Sequence, residues 1–201
     1  MDAWEINGRT LEFDDETHCY LCDGVIVPSV SKILKTFFDD YVNVSRPVLE
    51  QAAERGTELH SAIEVYEKTG QESDLQEFRN YLFLKKHFNI KNISNELPVF
   101  YEEGGIVLFA GRLDQIIEID GKLGINDFKR VSVPNKEKIS YQLNLYKLAY
   151  EQSYHKEISM LSFMQLREDK RKLTQLPINE QSAKNLLKNY YKEKKNDTEK
   201  L

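Results

Sequence analysis

The stretch Phe109-Ala-Gly-Arg-Leu-Asp-Gln-Ile-Ile-Glu-Ile-Asp-Gly-Lys-Leu-Gly-Ile-Asn-Asp-Phe-Lys129 predicts two β-strands joined by a tight turn. Asp120-Gly121 separates two apolar runs, and this pair favours a two-residue type I′ hairpin because both central residues need positive φ. Counting outward from the turn brings Asp114 directly opposite Asp127, with Cβ atoms about 5 Å apart. We therefore expect both carboxylates on one face of the sheet.

The facing carboxylates predict a metal site. Two carboxylates in this arrangement repel each other and cost stability unless a cation lies between them. Lys129 follows Asp127 by two residues and therefore lies on the same face of its strand. Its ammonium group suits a role in positioning a water molecule that attacks beside the cation. The hairpin predicts Asp114 and Asp127 as ligands of Mg²⁺ or Mn²⁺ and Lys129 as a catalytic residue.

Four motifs, in this order along the chain, resemble those of the PD-(D/E)xK nucleases, within them the RecB-like and phage exonuclease branch. Gly111-x-x-Asp114 followed by Asp127-Phe128-Lys129 is similar to the G-x-x-D…(D/E)-x-K core. The segment 55–64, RGTELHSAIE, is similar to that branch's R-G-T-x-x-H-x-x-I-E helix. Tyr141-Gln142-Leu-Asn-Leu-Tyr146 resembles its Q-x-x-x-Y motif, and segment 17–34 resembles the entry segment of phage and mitochondrial members.

The resemblance implies a restriction-endonuclease-like α/β core and a divalent-metal-dependent deoxyribonuclease, an exonuclease of phage recombination, replication or repair type. It implies that the imidazole of His60 and the carbonyl of Phe128 join the metal ligands. An imidazole ligand would favour Mn²⁺ over Mg²⁺. Gln142 and Tyr146 either contact phosphates beside the scissile bond, brace Lys129, or simply pack in the core.

Other candidate residues leave alternatives open. Glu64 shares a helix face with His60 and is either an outer ligand or a surface charge. Glu96 precedes the hairpin at an acidic position common in the family and is a secondary candidate ligand. Arg130 follows the D-x-K motif, where the branch often has a small hydroxyl residue, and either contacts a phosphate or indicates an altered pocket. Three more candidates, DNA contacts or a solvated face, lie in a predicted basic turn: Lys170, Arg171 and Lys172.

The chain has 201 residues, of which 40% are hydrophobic, and this composition can bury the core of one domain. We expect one nuclease domain over 1–201. A small N-terminal β-hairpin plus helix covers about 1–45, a central mixed sheet flanked by helices covers about 46–178, and a C-terminal helix and charged tail cover about 179–201. A loop is expected over Asp39–Ser45, and Gly56-Thr57 is expected to divide the helical region from Pro47 to Gly70 into two helices.

The net charge of −5 limits the mode of DNA binding. Tight binding to long duplex depends on many phosphate contacts, so we expect DNA ends or single strands as the substrate. No apolar run is long enough to span a bilayer, and the N-terminus lacks the features of a signal peptide. We therefore expect no membrane association and a cytoplasmic protein of a phage or bacterial host cell, with a recombination or replication protein as a candidate partner.

The two cysteines, Cys19 and Cys22, argue against zinc and against an iron–sulfur cluster. They fall in a predicted strand, where residues three apart face opposite sides, and no second pair completes a four-cysteine site.

Two other functions compete with the exonuclease. One is a nuclease-dead relative that acts as a DNA-binding or protein-binding accessory or inhibitor. Such proteins usually lose an acidic ligand or the lysine, whereas this chain retains Asp114, Asp127 and Lys129. The other is a sequence-specific endonuclease, which would need a dedicated recognition domain that the sequence does not indicate.

Overall fold

The computed structural model describes residues 1–38 and 45–198. The expected loop over Asp39–Ser45, apart from its last residue, and the end of the charged tail lie outside the described residues. The elements in chain order are β1 (Asp2–Ile6), β2 (Arg9–Asp14), β3 (Cys19–Cys22), β4 (Val25–Val27), α1 (Val30–Phe37), α2 (Arg46–Thr69), α3 (Gln76–His87), β5 (Lys91–Glu103), β6 (Ile106–Ile119), β7 (Lys122–Lys129), α4 (Lys136–Tyr154), β8 (Met160–Arg167), β9 (Lys170–Leu176) and α5 (Glu180–Thr198).

The larger of two sheets has the strand order β5-β6-β7-β8-β9. Strands β7 and β8 are parallel and are connected through α4, whereas the other neighbouring strands are antiparallel. Apolar side chains of α2 and α3 pack on one face, and those of α1, α4 and α5 pack on the other. The predicted α/β class, with a central mixed sheet flanked by helices, is confirmed.

The β6–β7 hairpin has the predicted turn and register. Asp120 and Gly121 have φ values of 50° and 75°, as a type I′ turn requires. Antiparallel pairing then continues from the turn to Gln115 and Asn126. One residue beyond Gln115, a side chain continues the contact between the two strands. Asp114 Oδ2 accepts a hydrogen bond from the backbone N–H of Phe128 at 2.8 Å.

The N-terminal region is larger than predicted. It forms a four-stranded antiparallel sheet, β1-β2-β3-β4, followed by α1 with Ser29 as its N-cap. The expected β-hairpin and helix are present, and β1 adds a further strand through a turn at Asn7-Gly8, both with positive φ. Leu11 of this small sheet belongs to the same buried cluster as Phe100 and Ala110 of the large sheet. The N-terminal sheet is therefore packed directly against the large sheet.

The helix α2 is continuous, so the predicted interruption at Gly56-Thr57 is wrong. Gly56 has no positive φ, and the Thr57 hydroxyl donates to the carbonyl of Ala53 one turn earlier instead of capping a new helix. The single helix carries His60 along the end of the sheet.

Side chains of α4 satisfy the open edge of β5. The Ser153 hydroxyl donates to the carbonyl of Phe100 and accepts from its N–H, and the Gln152 amide does the same at Glu102. The Tyr154 hydroxyl donates to the carbonyl of β5 residue Pro98 at 2.7 Å. These contacts replace the hydrogen bonds that another strand would make.

Among the described residues, no helix is both long and apolar enough to cross a membrane.

Candidate metal centre

Three side chains from three elements converge at one end of the large sheet. His60 of α2, Glu96 of β5 and Asp114 of β6 each offer a ligand atom, and these atoms lie within 4.8 Å of one another. The imidazole Nδ1 is 3.6 Å from Glu96 Oε1, and Nε2 is 3.7 Å from Asp114 Oδ2. One histidine nitrogen and two carboxylates form a donor set that suits Mn²⁺ and, through its oxygens, Mg²⁺. The residues present therefore fit the predicted ion.

A β-bulge brings Glu96 into this cluster. Counted from the β5–β6 turn, the pairing shifts by one residue between Glu102 and Tyr101, and the new register continues from Tyr101 to Leu97, which pairs with Leu113. Glu96 therefore lies across from Asp114. Its φ of 50° is unusual for a residue with a side chain, and such backbone conformations persist where the surrounding structure holds them.

The His60 ring is fixed by packing and by charge. Phe128 contacts it edge to face, with ring centroids 5.4 Å apart. Burial lowers the pKa of His60, but the carboxylates of Asp114 and Glu96 outweigh burial and raise the pKa to about 9. The same negative potential would attract a divalent cation.

Asp127 lies beside this cluster rather than within the group of three converging ligand atoms. Its side chain is 3% exposed, its Oδ2 lies 2.6 Å from Lys129 Nζ, and its Oδ1 accepts a hydrogen bond from Gln142 Nε2 at 3.0 Å. Burial raises the pKa of Asp127 to about 6, although the Lys129 ammonium acts in the opposite direction. The predicted pair is close enough that the Asp114 charge adds to this rise. Asp127 as a direct ligand stays a prediction, and so does the carbonyl of Phe128.

Two side chains of α4, Gln142 and Tyr146, form hydrogen bonds next to the cluster. Gln142 orients the Asp127 carboxylate, and the buried Tyr146 hydroxyl donates to the carbonyl of Arg112 at 3.1 Å. Burial raises the pKa of Tyr146 well above its usual range. For Tyr146, packing in the core is thus favoured over phosphate contact, because its ring is buried and its hydroxyl binds a backbone carbonyl, and bracing of Lys129 stays a prediction.

Gly111 is required by this packing. A Cβ placed at Gly111 would lie 2.8 Å from Cε1 of Tyr146, closer than real contacts allow. The first glycine of the G-x-x-D motif therefore admits the tyrosine of the Q-x-x-x-Y motif.

A cavity of about 350 Å³ opens beside the three converging ligands. His60, Glu64, Glu96 and Arg112 contribute to its wall. Glu64 accepts a hydrogen bond from Lys68 at 2.5 Å, one helical turn away. Glu64 is therefore placed as a wall residue beside the cluster, whereas Glu96, the secondary candidate, is one of its three converging side chains.

The candidate DNA contacts are arranged differently from the prediction. Arg130 donates from Nε to Glu77 at 2.7 Å, and its side chain is 17% exposed, so this guanidinium bridges β7 to α3. The turn between β8 and β9 contains only Glu168-Asp169, because Arg167 pairs with Lys170. The three basic residues that were predicted to form a turn therefore belong to strand β9.

Alternation along β9 divides the basic residues. The Arg171 guanidinium lies 3.6 Å from the centroid of the Phe83 ring on α3. Lys170 and Lys172 are exposed and, as second neighbours in a strand, share the opposite face. All three side chains are exposed, so a polyanion could reach Lys170 and Lys172 on one face and Arg171 on the other.

The two cysteines lie at the two ends of β3, within the region predicted as strand. Cys19 and Cys22 are both free thiols, and Cys22 is buried.

Comparison with known proteins adds little about identity. No family model matches the chain, and no curated protein matches it. Among solved structures, one described as "Crystal structure of SSO0001" is similar, with a TM-score of 0.39 and 18% sequence identity over 81% of this chain and 82% of that chain.

Proposed function

We propose that this protein is a divalent-metal-dependent deoxyribonuclease of the PD-(D/E)xK type that degrades DNA from an end. The observation that carries the proposal is the convergence of His60, Glu96 and Asp114 within 4.8 Å, on the sheet end that also holds Lys129. Carboxylates and imidazole are the donor types that a hydrolytic metal site uses.

His60, Glu96 and Asp114 would hold the ion, with Asp127 adjacent. A bound divalent ion supplies charge stabilisation of the phosphodiester and a more acidic water molecule. The chain itself supplies a fixed arrangement of charged groups around that position. Gln142 and Lys129 hold the two oxygens of Asp127, so its carboxylate cannot rotate freely.

Lys129 acts as a positioned cation beside the scissile phosphate. Its Nζ lies 2.6 Å from the Asp127 carboxylate, and this ion pair holds the side chain beside the cluster. An ammonium donates hydrogen bonds and accepts none, so it can orient an attacking water oxygen and stabilise negative charge on the phosphoryl oxygens.

The distribution of charge supports the proposal of end-directed cleavage. The net charge is −5, and among the candidate basic residues Arg130 is committed to Glu77. A net negative charge opposes tight binding of long internal duplex, which depends on many phosphate contacts, and this favours a free end or a single strand.

The test compares covalently closed, nicked and linear DNA with Mg²⁺, Mn²⁺ or EDTA, using Asp114→Asn as the inactive control. We expect metal-dependent loss of linear DNA, with closed circles intact. Rapid linearisation of closed circles would replace the exonuclease with an endonuclease. Binding of DNA without cleavage in either metal would favour the nuclease-dead accessory, and an RNA oligonucleotide in parallel tests the preference for DNA.

A further inference from the structure

Arg112 connects the N-terminal sheet to the candidate metal centre. It lies two residues before Asp114 on the same strand face, in the wall of the cavity beside the ligands. Its Nε lies 2.9 Å from Oε2 of Glu96. The other Glu96 oxygen, Oε1, is the one that faces His60, at 3.6 Å. The guanidinium therefore holds one oxygen of Glu96 and leaves the other directed into the cluster.

The N-terminal sheet also contacts Arg112, through one residue of β1 and one of β2. Arg112 Nη1 lies 3.5 Å from Oδ2 of Asp2, and its Cζ lies 5.8 Å from the centroid of the Phe13 ring. Asp2 and Phe13 are direct partners across β1 and β2, so they act on the guanidinium as one unit. A planar guanidinium that stacks on a ring and donates in fixed directions is not replaced by the flexible ammonium of lysine.

We propose that Arg112 is a positioning residue that holds Glu96 with one carboxylate oxygen directed at the candidate metal centre, and that the N-terminal sheet thereby contributes to that centre. The inference rests on the metal centre of the proposed function. Groups that orient a ligand from outside typically contribute about 10- to 100-fold to metal affinity. The positive φ of Glu96 is a strained backbone conformation that persists where surrounding contacts hold the residue, and the Arg112 ion pair is one such contact.

The chain offers a matched control in Arg9. Arg9 also bridges the two sheets, with Nη1 2.8 Å from Asp23 and Nη2 2.7 Å from Glu102, but neither partner belongs to the cluster. Arg9→Gln weakens the attachment of the N-terminal sheet without touching Glu96.

The experiment titrates Mn²⁺ alone into the full chain by calorimetry and records the electron paramagnetic resonance spectrum of the bound ion. We expect Arg112→Lys, which keeps the charge, to weaken Mn²⁺ binding about 10-fold or more and to change the spectrum. Phe13→Leu should act in the same direction with a smaller effect. Arg9→Gln should leave both affinity and spectrum as in the wild type, even if its melting temperature falls.

A double-mutant cycle separates positioning from general destabilisation. In a Glu96→Gln background, Arg112→Lys should cost no further affinity, because the oxygen that it positions is no longer a carboxylate. Equal and additive losses in both backgrounds would contradict the proposal. Wild-type affinity in Arg112→Lys would also overturn it, and so would tighter binding in Arg112→Gln, which would make Arg112 a competitor of the ion.

The outcomes distinguish this inference from the proposed function. If the wild-type protein binds Mn²⁺ but cuts no DNA, the proposed nuclease function is wrong and the positioning role of Arg112 can still hold. If the wild-type protein binds no Mn²⁺, both proposals are wrong.

Discussion

Asp114 and Asp127 differ in what holds their carboxylates. Asp114 accepts a backbone N–H and faces His60, whereas Asp127 is buried between Lys129 and Gln142. Substitution of the two residues should therefore affect stability and metal binding differently, although both carboxylates are expected to be essential for cleavage.

Asp114→Asn should abolish cleavage without unfolding the metal-free protein, because the amide oxygen can still accept the N–H of Phe128 and the repulsion from Asp127 is removed. Saturating Mn²⁺ at about 100 times its dissociation constant should stabilise the wild type by about 2.7 kcal/mol and the variant by much less. Melting curves with Mn²⁺ and with EDTA measure this difference. Asp127→Asn should also lose activity, and near wild-type cleavage by either variant would refute the metal-site assignment.

Lys129→Ala should lose catalysis while it keeps metal affinity, because an ammonium group cannot be a metal ligand. We expect the single-turnover rate to fall by about 10²-fold or more, the usual contribution of a positioned donor. Calorimetric titration with Mn²⁺ is the companion measurement. Loss of Mn²⁺ binding in this variant would instead assign Lys129 a structural role through its ion pair with Asp127.

His60→Ala should weaken Mn²⁺ binding more than Mg²⁺ binding, because it removes the nitrogen donor of the cluster. The ratio of cleavage rates in the two metals, measured at equal enzyme concentration, should shift towards Mg²⁺. His60→Gln serves as the control that keeps side-chain volume and polarity. An unchanged ratio would return His60 to an ordinary helix residue packed against Phe128.

At the scale of the elements, the packing of β6 against α4 depends on the absence of a side chain at Gly111. Gly111→Ala should destabilise the protein by about 1–3 kcal/mol, as overpacking of a core does, because the new Cβ meets Tyr146 at 2.8 Å. Denaturant unfolding in EDTA measures the effect. Adding Tyr146→Leu should recover part of the loss, which a double-mutant cycle detects as non-additivity.

Gly56→Ala is the matched control for that experiment. Gly56 lies inside α2, and a Cβ there meets nothing within 4 Å. The substitution should stabilise the protein by about 0.4–1 kcal/mol because alanine restricts the unfolded chain and favours helix. Destabilisation by Gly56→Ala would contradict a continuous helix through this position.

At the scale of the whole molecule, binding of single-stranded DNA should depend weakly on salt. Removing one lysine that binds a phosphate should reduce the steepness of log affinity against log salt by about 0.7. Lys170→Gln and Lys172→Gln, tested in an Asp114→Asn background, should each produce this change. Lys122→Gln, at the exposed β6–β7 turn, is the control. Slopes equal to that of the parent would remove the β9 lysines from the DNA-binding surface.

The parts of the site that depend on local geometry were predictable from the sequence. The Asp120-Gly121 turn fixes the β6–β7 register by itself, so the neighbouring positions of Asp114 and Asp127 follow by counting. The position of Glu96 across from Asp114 could not be predicted from the sequence, because it depends on a bulge that shifts the register by one residue.

Long-range packing set the remaining features. Gly56-Thr57 has the composition of a helix break, yet burial of Leu59 and Ile63 against the sheet supports an unbroken helix. Arg112 was not predicted as a site residue, because its partners Asp2 and Phe13 belong to a sheet whose first strand the sequence did not indicate.

The contacts between α4 and β5 have a consequence for behaviour at high concentration. An exposed strand edge offers unpaired N–H and C=O groups to a second chain and can begin aggregation. On β5, such groups already form hydrogen bonds with side chains of α4, namely those of Gln152, Ser153 and Tyr154. The opposite edge of the sheet is β9, whose exposed lysines disfavour pairing with another strand. Replacing Ser153 with alanine would leave the N–H and C=O of Phe100 buried and unpaired, which should lower stability by about 1–3 kcal/mol. Wherever α4 then separates from β5, that strand edge becomes open to a second chain, and light scattering should detect the self-association.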